Sequence, residues 1–258
     1  MSYDSNLNPV LAQASNEDLD VLVDYLKEKL SESLTSSDEY KLHCPNHRMY
    51  SDTIADEIRS MGGNSFANLF RGFEGPEYHE IVCDVADKLK APYNKNKSVE
   101  DIENLVLEKI LETALESMSD DEKKQLLTEM GAKGNLSIGG MSTATFLAIF
   151  RAGGFYSYQL TLIIANQIAR LILGRGLMFA TNAALVRVAS IVTGPIGWAV
   201  TGVWTAVDLA GPAYKVTIPC VIHIAMLRKK MNAVTCKGCE QMITDPSAKF
   251  CTFCGTQL

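Results

Sequence analysis

Acidic residues are all but missing from the middle of this 258-residue chain. Between residues 131 and 230 there are nine Lys and Arg but one acid, Asp208. Helices at the surface of a globular core normally carry charged outer faces, so ten charges in a hundred residues set this segment apart. Histidine occurs four times and tryptophan twice. No His/Ser/Asp or Cys/His grouping has the setting of a nucleophile and its base, so an enzyme is the least favoured class. Seven cysteines are too few, and odd in number, for a disulfide-held secreted scaffold. With 47% hydrophobic and 21% charged residues, collagen-like, coiled-coil and wholly disordered readings are excluded. The opening Met1-Ser2-Tyr3-Asp4-Ser5-Asn6 has no basic start and no apolar stretch, so no cleavable secretory signal is expected. The expected compartment is the reducing cytosol or a membrane facing it.

The charge is divided unevenly. Residues 1–130 carry 13 basic and 27 acidic residues, a balance of −14; residues 131–230 stand at +8; residues 231–258 hold two of each sign. Three segments are therefore expected: an acidic helical domain (1–130), an apolar, basic, glycine-rich helical segment (131–230) and a small cysteine-bearing tail (231–258).

The acidic segment reads as all-α. Ser15 with Asp18 opens a helix carrying Leu19, Leu22, Val23, Leu26 and Leu30 at 3–4 spacing. Ser51 precedes Ile54, Ala55 and Ile58, with Gly62-Gly63 as the stop. Pro76 suits the first turn of a helix running to about Lys90. Ser98 with Asp101, and Ser119 with Glu122, look like two further capping boxes, the second helix ending at Gly131. No alternating strand pattern occurs. The carboxylates read as solvated helix faces. His43-Cys44-Pro45-Asn46-His47 places ligand types close together but is incomplete as a metal site.

In the middle segment Lys133, Arg151, Arg170 and Arg187 mark off long apolar stretches, and residues 188–207 are an uncharged run of 20. About 20 apolar residues cross a bilayer core. Trp198 and Trp204 suit a membrane–water interface. Gly194 and Gly202 belong to a small-residue ladder that allows close helix approach in lipid. Asp208 is the candidate pore-lining or ion-pairing group, and Arg228-Lys229-Lys230 after the last apolar run (216–227) would face the cytosol. The alternative is a buried helical core, because Gly139-Gly140, Gly153-Gly154, Gly174, Gly176 and Gly211-Pro212 cut the segment into shorter helices. Arg151, Arg170, Arg175, Arg187, Lys215, Arg228, Lys229 and Lys230 are candidates for an anionic ligand, a nucleic acid among them. His223 reads as a packed core residue.

The sharpest local signal is Cys236-Lys-Gly-Cys239, eleven residues, then Cys251-Thr-Phe-Cys254-Gly255. Two C-x-x-C pairs supply four thiolates for tetrahedral Zn²⁺, with no open position for catalysis. Twenty-eight residues are too few for an apolar core, so the metal should supply much of the tail's folding free energy. The ending from Lys249 to Leu258 resembles small prokaryotic zinc ribbons. Cys44, Cys83 and Cys220 are left as ordinary thiols.

Met61-Gly62-Gly63-Asn64-Ser65-Phe66-Ala67-Asn68-Leu69-Phe70-Arg71-Gly72 and Gly211-Pro212-Ala213-Tyr214-Lys215-Val216-Thr217-Ile218-Pro219 resemble the YaaW-like family of bacterial proteins, classed near the ubiquinol–cytochrome c chaperone domain. The resemblance spans roughly residues 15–230. It implies a helical fold, no catalytic residues to carry over, work at membranes and a likeness to effectors of antiviral defence loci. The zinc ribbon is an addition to the short members. Two functions are expected to compete. One is a non-enzymatic membrane effector of channel or pore type, a homo-oligomer in the inner membrane with cytosolic ends, silent until a ligand, a nucleic acid or a protein partner triggers it. The other is an assembly chaperone or scaffold for a membrane complex, docking through its zinc ribbon. A cytoplasmic oligomer is the alternative location, and no small-molecule substrate is expected.

Overall fold

The structure, a computed structural model, describes residues 3–28, 32–62, 75–130, 142–177, 200–202, 205, 214–239, 242–243, 248–251 and 254–258. Within these, eleven α-helices carry the fold and one two-stranded sheet closes it: α1 (Asn8–Gln13), α2 (Asn16–Lys27), α3 (Glu32–Ser36), α4 (Asp38–His43), α5 (Ser51–Gly62), α6 (Tyr78–Leu89), α7 (Val99–Glu116), α8 (Asp120–Glu129), α9 (Thr143–Arg151), α10 (Gly154–Leu173), α11 (Tyr214–Met231), β1 (Val234–Thr235) and β2 (Met242–Ile243). A 3₁₀ turn, His47–Tyr50, leads into α5.

The local caps work as their spacing requires. Ser15 and Asp18 form a reciprocal box at the start of α2, and Ser119 and Glu122 another at α8. Ser98 accepts from the Asp101 amide, but that box is one-sided. Gly174, at φ 68, closes α10 in a left-handed turn that an L side chain rarely adopts.

Pro76 behaves differently from its reading as a first-turn residue. α6 begins at Tyr78, and the proline precedes it with its carbonyl accepting from Arg59 Nε at 2.9 Å. The residue at the cap position, Glu77, makes no side-chain cap bond. Asp4 does the work from 74 residues away: its Oδ2 accepts from the Tyr78 amide at 2.7 Å and lies 4.0 Å from Arg59 Nε. A carboxylate at a helix N-terminus satisfies an orphan donor and meets the positive end of the helix dipole. Asp4 is 6% exposed. Asp4→Ala is expected to lower unfolding free energy by about 2–3 kcal/mol, read from urea melts, with Asp4→Asn recovering only part.

α11 is the hub of the packing. It touches α1, α2, α5, α6, α7 and α10. Every residue from Val216 to Leu227 is buried, and a helix buried on all faces is a core helix. One continuous hydrophobic cluster runs from Leu7 to Leu227 and takes side chains from both acidic and basic segments. The charge boundary near residue 130 therefore falls inside a single core.

The lipid expectation is corrected for these parts. Among the described residues no helix is long and apolar enough to cross a membrane. α10 has 20 residues, yet it buries Ser157, Gln159, Thr161, Asn166 and Gln167 along with its apolar side chains. The described helices of the middle segment avoid water by packing on one another and on the chain's own acidic helices. Gly194, Trp198, Trp204, Asp208, Arg187 and the stretches 63–72 and 211–213 lie outside the described residues. Gly202 is exposed, with open space where a side chain would stand.

Candidate metal centre and the cation anchor beside it

β1 and β2 pair antiparallel, Val234 opposite Ile243 and Thr235 opposite Met242, and an isolated bridge joins Phe250 to Gln257. These short pairings bring two turns together, one carrying Cys236 and Cys239, the other Cys251 and Cys254. The four Sγ atoms lie within 4.8 Å of one another. Cys236 and Cys254 are 3.6 Å apart, and Cys239 and Cys251 are 3.5 Å apart. A tetrahedron of sulfurs about 2.3 Å from zinc has edges of about 3.8 Å, whereas a disulfide needs about 2.05 Å. The spacing fits a four-thiolate metal site and not two disulfides.

The surroundings favour thiolates. The Gly238 amide donates to Cys236 Sγ at 3.3 Å. Burial works against ionisation of Cys236, but the amides of Gly238 and Cys239 outweigh it and hold the thiol below its ordinary value. Thr256, through hydroxyl and amide, draws Cys254 down to about 6. Gly238 is required by close approach, since a Cβ there would meet Thr256 Oγ1 at 2.3 Å. These residues could hold Zn²⁺ in a closed structural site; among the described residues no other group of three His, Cys, Asp or Glu could hold a metal. The expected stoichiometry is one Zn²⁺ per chain by elemental analysis. Cys251→Ser should abolish it while the helical circular dichroism changes little, because the tail contributes only two-residue strands.

The cations singled out as anion ligands are distributed over the helical body. Arg228 Nε donates to Glu103 Oε2 at 2.8 Å, and its Nη2 donates to the Asn6 carbonyl at 2.8 Å. Tyr78 Oη donates to Glu103 Oε1 at 2.9 Å. Glu103 is 1% exposed; burial raises its carboxyl above the ordinary value although Arg228 and Tyr78 oppose this. Lys230 Nζ donates to both oxygens of Asp18, at 2.7 and 3.0 Å. Arg175 Nη2 donates to Asp20 Oδ2 at 2.7 Å and also contacts Asp24. Arg151 binds Glu108 on α7. Lys229 lies 5.2 Å from the Phe150 ring centroid and 3.5 Å from Ser157 Oγ. Arg170 is half-buried beside Gly176, and Lys215 is half-buried in the first turn of α11. Four of these side chains thus neutralise carboxylates of the chain itself rather than gathering at one ligand.

Those carboxylates are what the reading as solvated faces missed. Glu103 shares the face of Val99, Val106 and Ile110 at helical spacing, and an acid on an apolar stripe is the signal that pointed to a buried partner. Both ring nitrogens of His47 have protein partners: Nε2 lies 3.1 Å from Asp20 and Nδ1 meets Tyr50 Oη. Cys83 and Cys220 are buried thiols, and burial pushes both up.

The family model described as ubiquinol–cytochrome C chaperone matches residues 46–224. A UPF0174 protein of Helicobacter pylori strain J99 is 48% identical over 236 residues, 88% of this chain and 92% of the relative. Another from Helicobacter pylori strain 26695 is 40% identical over 209 residues, covering 79% of this chain and all of the relative. The Escherichia coli K12 UPF0174 protein YaaW is 30% identical over 210 residues, 80% of this chain and 84% of the relative.

The chain belongs to the UPF0174 family. No solved structure matches it. The resemblance drawn from residues 61–72 and 211–219 is borne out at the level of family. The chaperone-type match in this UPF0174 chain begins at Asn46 and ends within α11 at Ile224, so of the helices that touch the hub it takes in α5, α6, α7 and α10 but not α1 and α2, and it stops short of the four cysteines.

Proposed function

We propose that this UPF0174 chain is a non-enzymatic assembly factor, a helical body that brings a zinc-held docking ribbon to a membrane complex. The observation that carries the reading is the ubiquinol–cytochrome C chaperone match over residues 46–224. The ribbon supplies the outward-facing chemistry. Of six large hydrophobic residues exposed among the described ones, Val234, Phe250 and Leu258 belong to it, and exposed apolar side chains grouped on a small module favour protein contacts. The proposed setting is the cytosolic face of the inner membrane, with self-association as a further expectation. Cross-linked purification of the full chain from its own cells should recover subunits of a respiratory or other membrane complex, and Phe250→Ser should weaken recovery severalfold. Normal levels of every such complex in cells deleted for the gene would sink the reading.

A pore-type effector of antiviral defence is the second reading. It rests on the uncharged run 188–207 with Trp198 and Gly194. The opposite charges of residues 1–130 and 131–230 meet inside the chain in the Arg228–Glu103, Lys230–Asp18 and Arg175–Asp20 pairs. Membrane depolarisation on expression would favour the effector over the assembly factor. A nucleic-acid trigger would show steep salt dependence of binding.

A further inference from the structure

Three consecutive cations leave the last turn of α11 in three directions. Arg228 reaches Glu103 of α7 and the Asn6 carbonyl, Lys229 lies against Phe150 of α9 and Ser157 of α10, and Lys230 holds Asp18 in the first turn of α2. The amides of Asn232 and Ala233 donate back to the Arg228 and Lys230 carbonyls. The turn therefore closes directly onto β1, which starts at Val234. On the other side of the ribbon, β2 lies against α10.

We infer that metal occupancy of the four-cysteine site is transmitted to the helical body through this last turn of α11. The inference rests on the zinc reading of the ribbon. Among the described residues the ribbon's own buried set is Cys236, Ile243 and Cys251, with Cys239 and Ala248 packed on it, and a 28-residue tail is too short to stay folded once the metal is gone. Helix ends fray first, and a helix whose continuation unfolds loses its last turn before its interior. Here that turn carries all three cations. Its fraying opens the Lys230–Asp18 and Arg228–Glu103 pairs and releases the N-terminal segment and the start of α2. The interior of α6 is held instead by Ile81, Val82, Val85 and Ala86, which are buried in the core cluster.

Hydrogen exchange on the full chain, zinc-loaded and after chelation, with metal content measured in each sample, tests this. Chelation should speed exchange in 234–258 and, by about tenfold or more, in 226–231, 6–11 and 16–20, leaving Ile81–Ala86 unchanged. Lys230→Gln keeps the metal ligands; in it, 16–20 should exchange quickly in both states and lose their response to metal. A rise confined to 234–258 overturns the coupling and leaves the zinc reading standing. No rise in 234–258 after confirmed metal loss overturns the zinc reading and the coupling with it. An equal rise everywhere, Ile81–Ala86 included, also overturns the coupling, because the metal would then hold the whole fold and not one turn.

Discussion

Arg228→Met is expected to cost about 3–5 kcal/mol of unfolding free energy, the largest effect of any single substitution outside the hydrophobic core. The cost arises from what is left behind. Glu103 would keep its place in the interior with the Tyr78 hydroxyl as a partner but no cation, and the Asn6 carbonyl would lose its donor. An uncompensated carboxylate in a low-dielectric interior either stays charged at high cost or takes up a proton. The second route gives a distinctive result: the variant should lose less stability near pH 4 than at pH 7. Replacing both charges, Arg228→Met with Glu103→Gln, should recover most of the loss, because two desolvation penalties disappear along with one attraction. Urea melts of the two single variants and the double variant at both pH values check this. A double variant no more stable than Arg228→Met would show that shape, and not charge compensation, governs the site.

Acid should destabilise the protein through His223. His223 is 1% exposed, Nε2–H donates to the Asp18 carbonyl at 3.0 Å, and Nδ1 has no partner among the described residues. Tyr25 stands edge-on to the ring and Lys230 is nearby through Asp18. Burial disfavours the imidazolium and carries the pKa from 6.5 down to about 4, although the Asp18 carboxylate pulls the other way. A folded-state pKa below the unfolded one means that the unfolded chain binds the proton first. The contribution is whole above pH 6.5 and is lost as pH falls through about 4, amounting to roughly 3 kcal/mol. Glu103 has the opposite sign: its raised carboxyl contributes stability that is present below the ordinary value of 4.5 and lost as pH rises through the folded value. Asp18, held below its ordinary 3.8 by Lys230 and Ser15 against burial, loses its contribution only in stronger acid. The check is therefore a difference. The profile of His223→Leu subtracted from that of the parent chain between pH 7 and 4 should isolate the histidine. A flat difference would mean that the imidazole is not held neutral inside the core.

How much of this was legible in the sequence depended on distance along the chain. The caps at Ser15 and Ser119 need residues three apart, so they could be read directly. The helix from Gly154 to Leu173, stopped by Gly174, matches the apolar stretch marked by its glycines. α1, α3 and α4, of five or six residues each, are too short to carry a periodicity that could be seen in advance. Asp4 capping α6, Arg228 meeting Glu103 and Lys230 meeting Asp18 span 74, 125 and 212 residues, and no local pattern records such pairings.

The sequence by itself determined the helical class, the three-way division of charge and the four-cysteine knuckle, because each rests on spacing or composition within a few residues. Only the tertiary structure decided what keeps water from Val216–Leu227. Periodicity and composition say that a face is apolar; they do not say what covers it, since lipid tails and the side chains of α1, α2, α5, α6, α7 and α10 satisfy the same hydrophobic requirement.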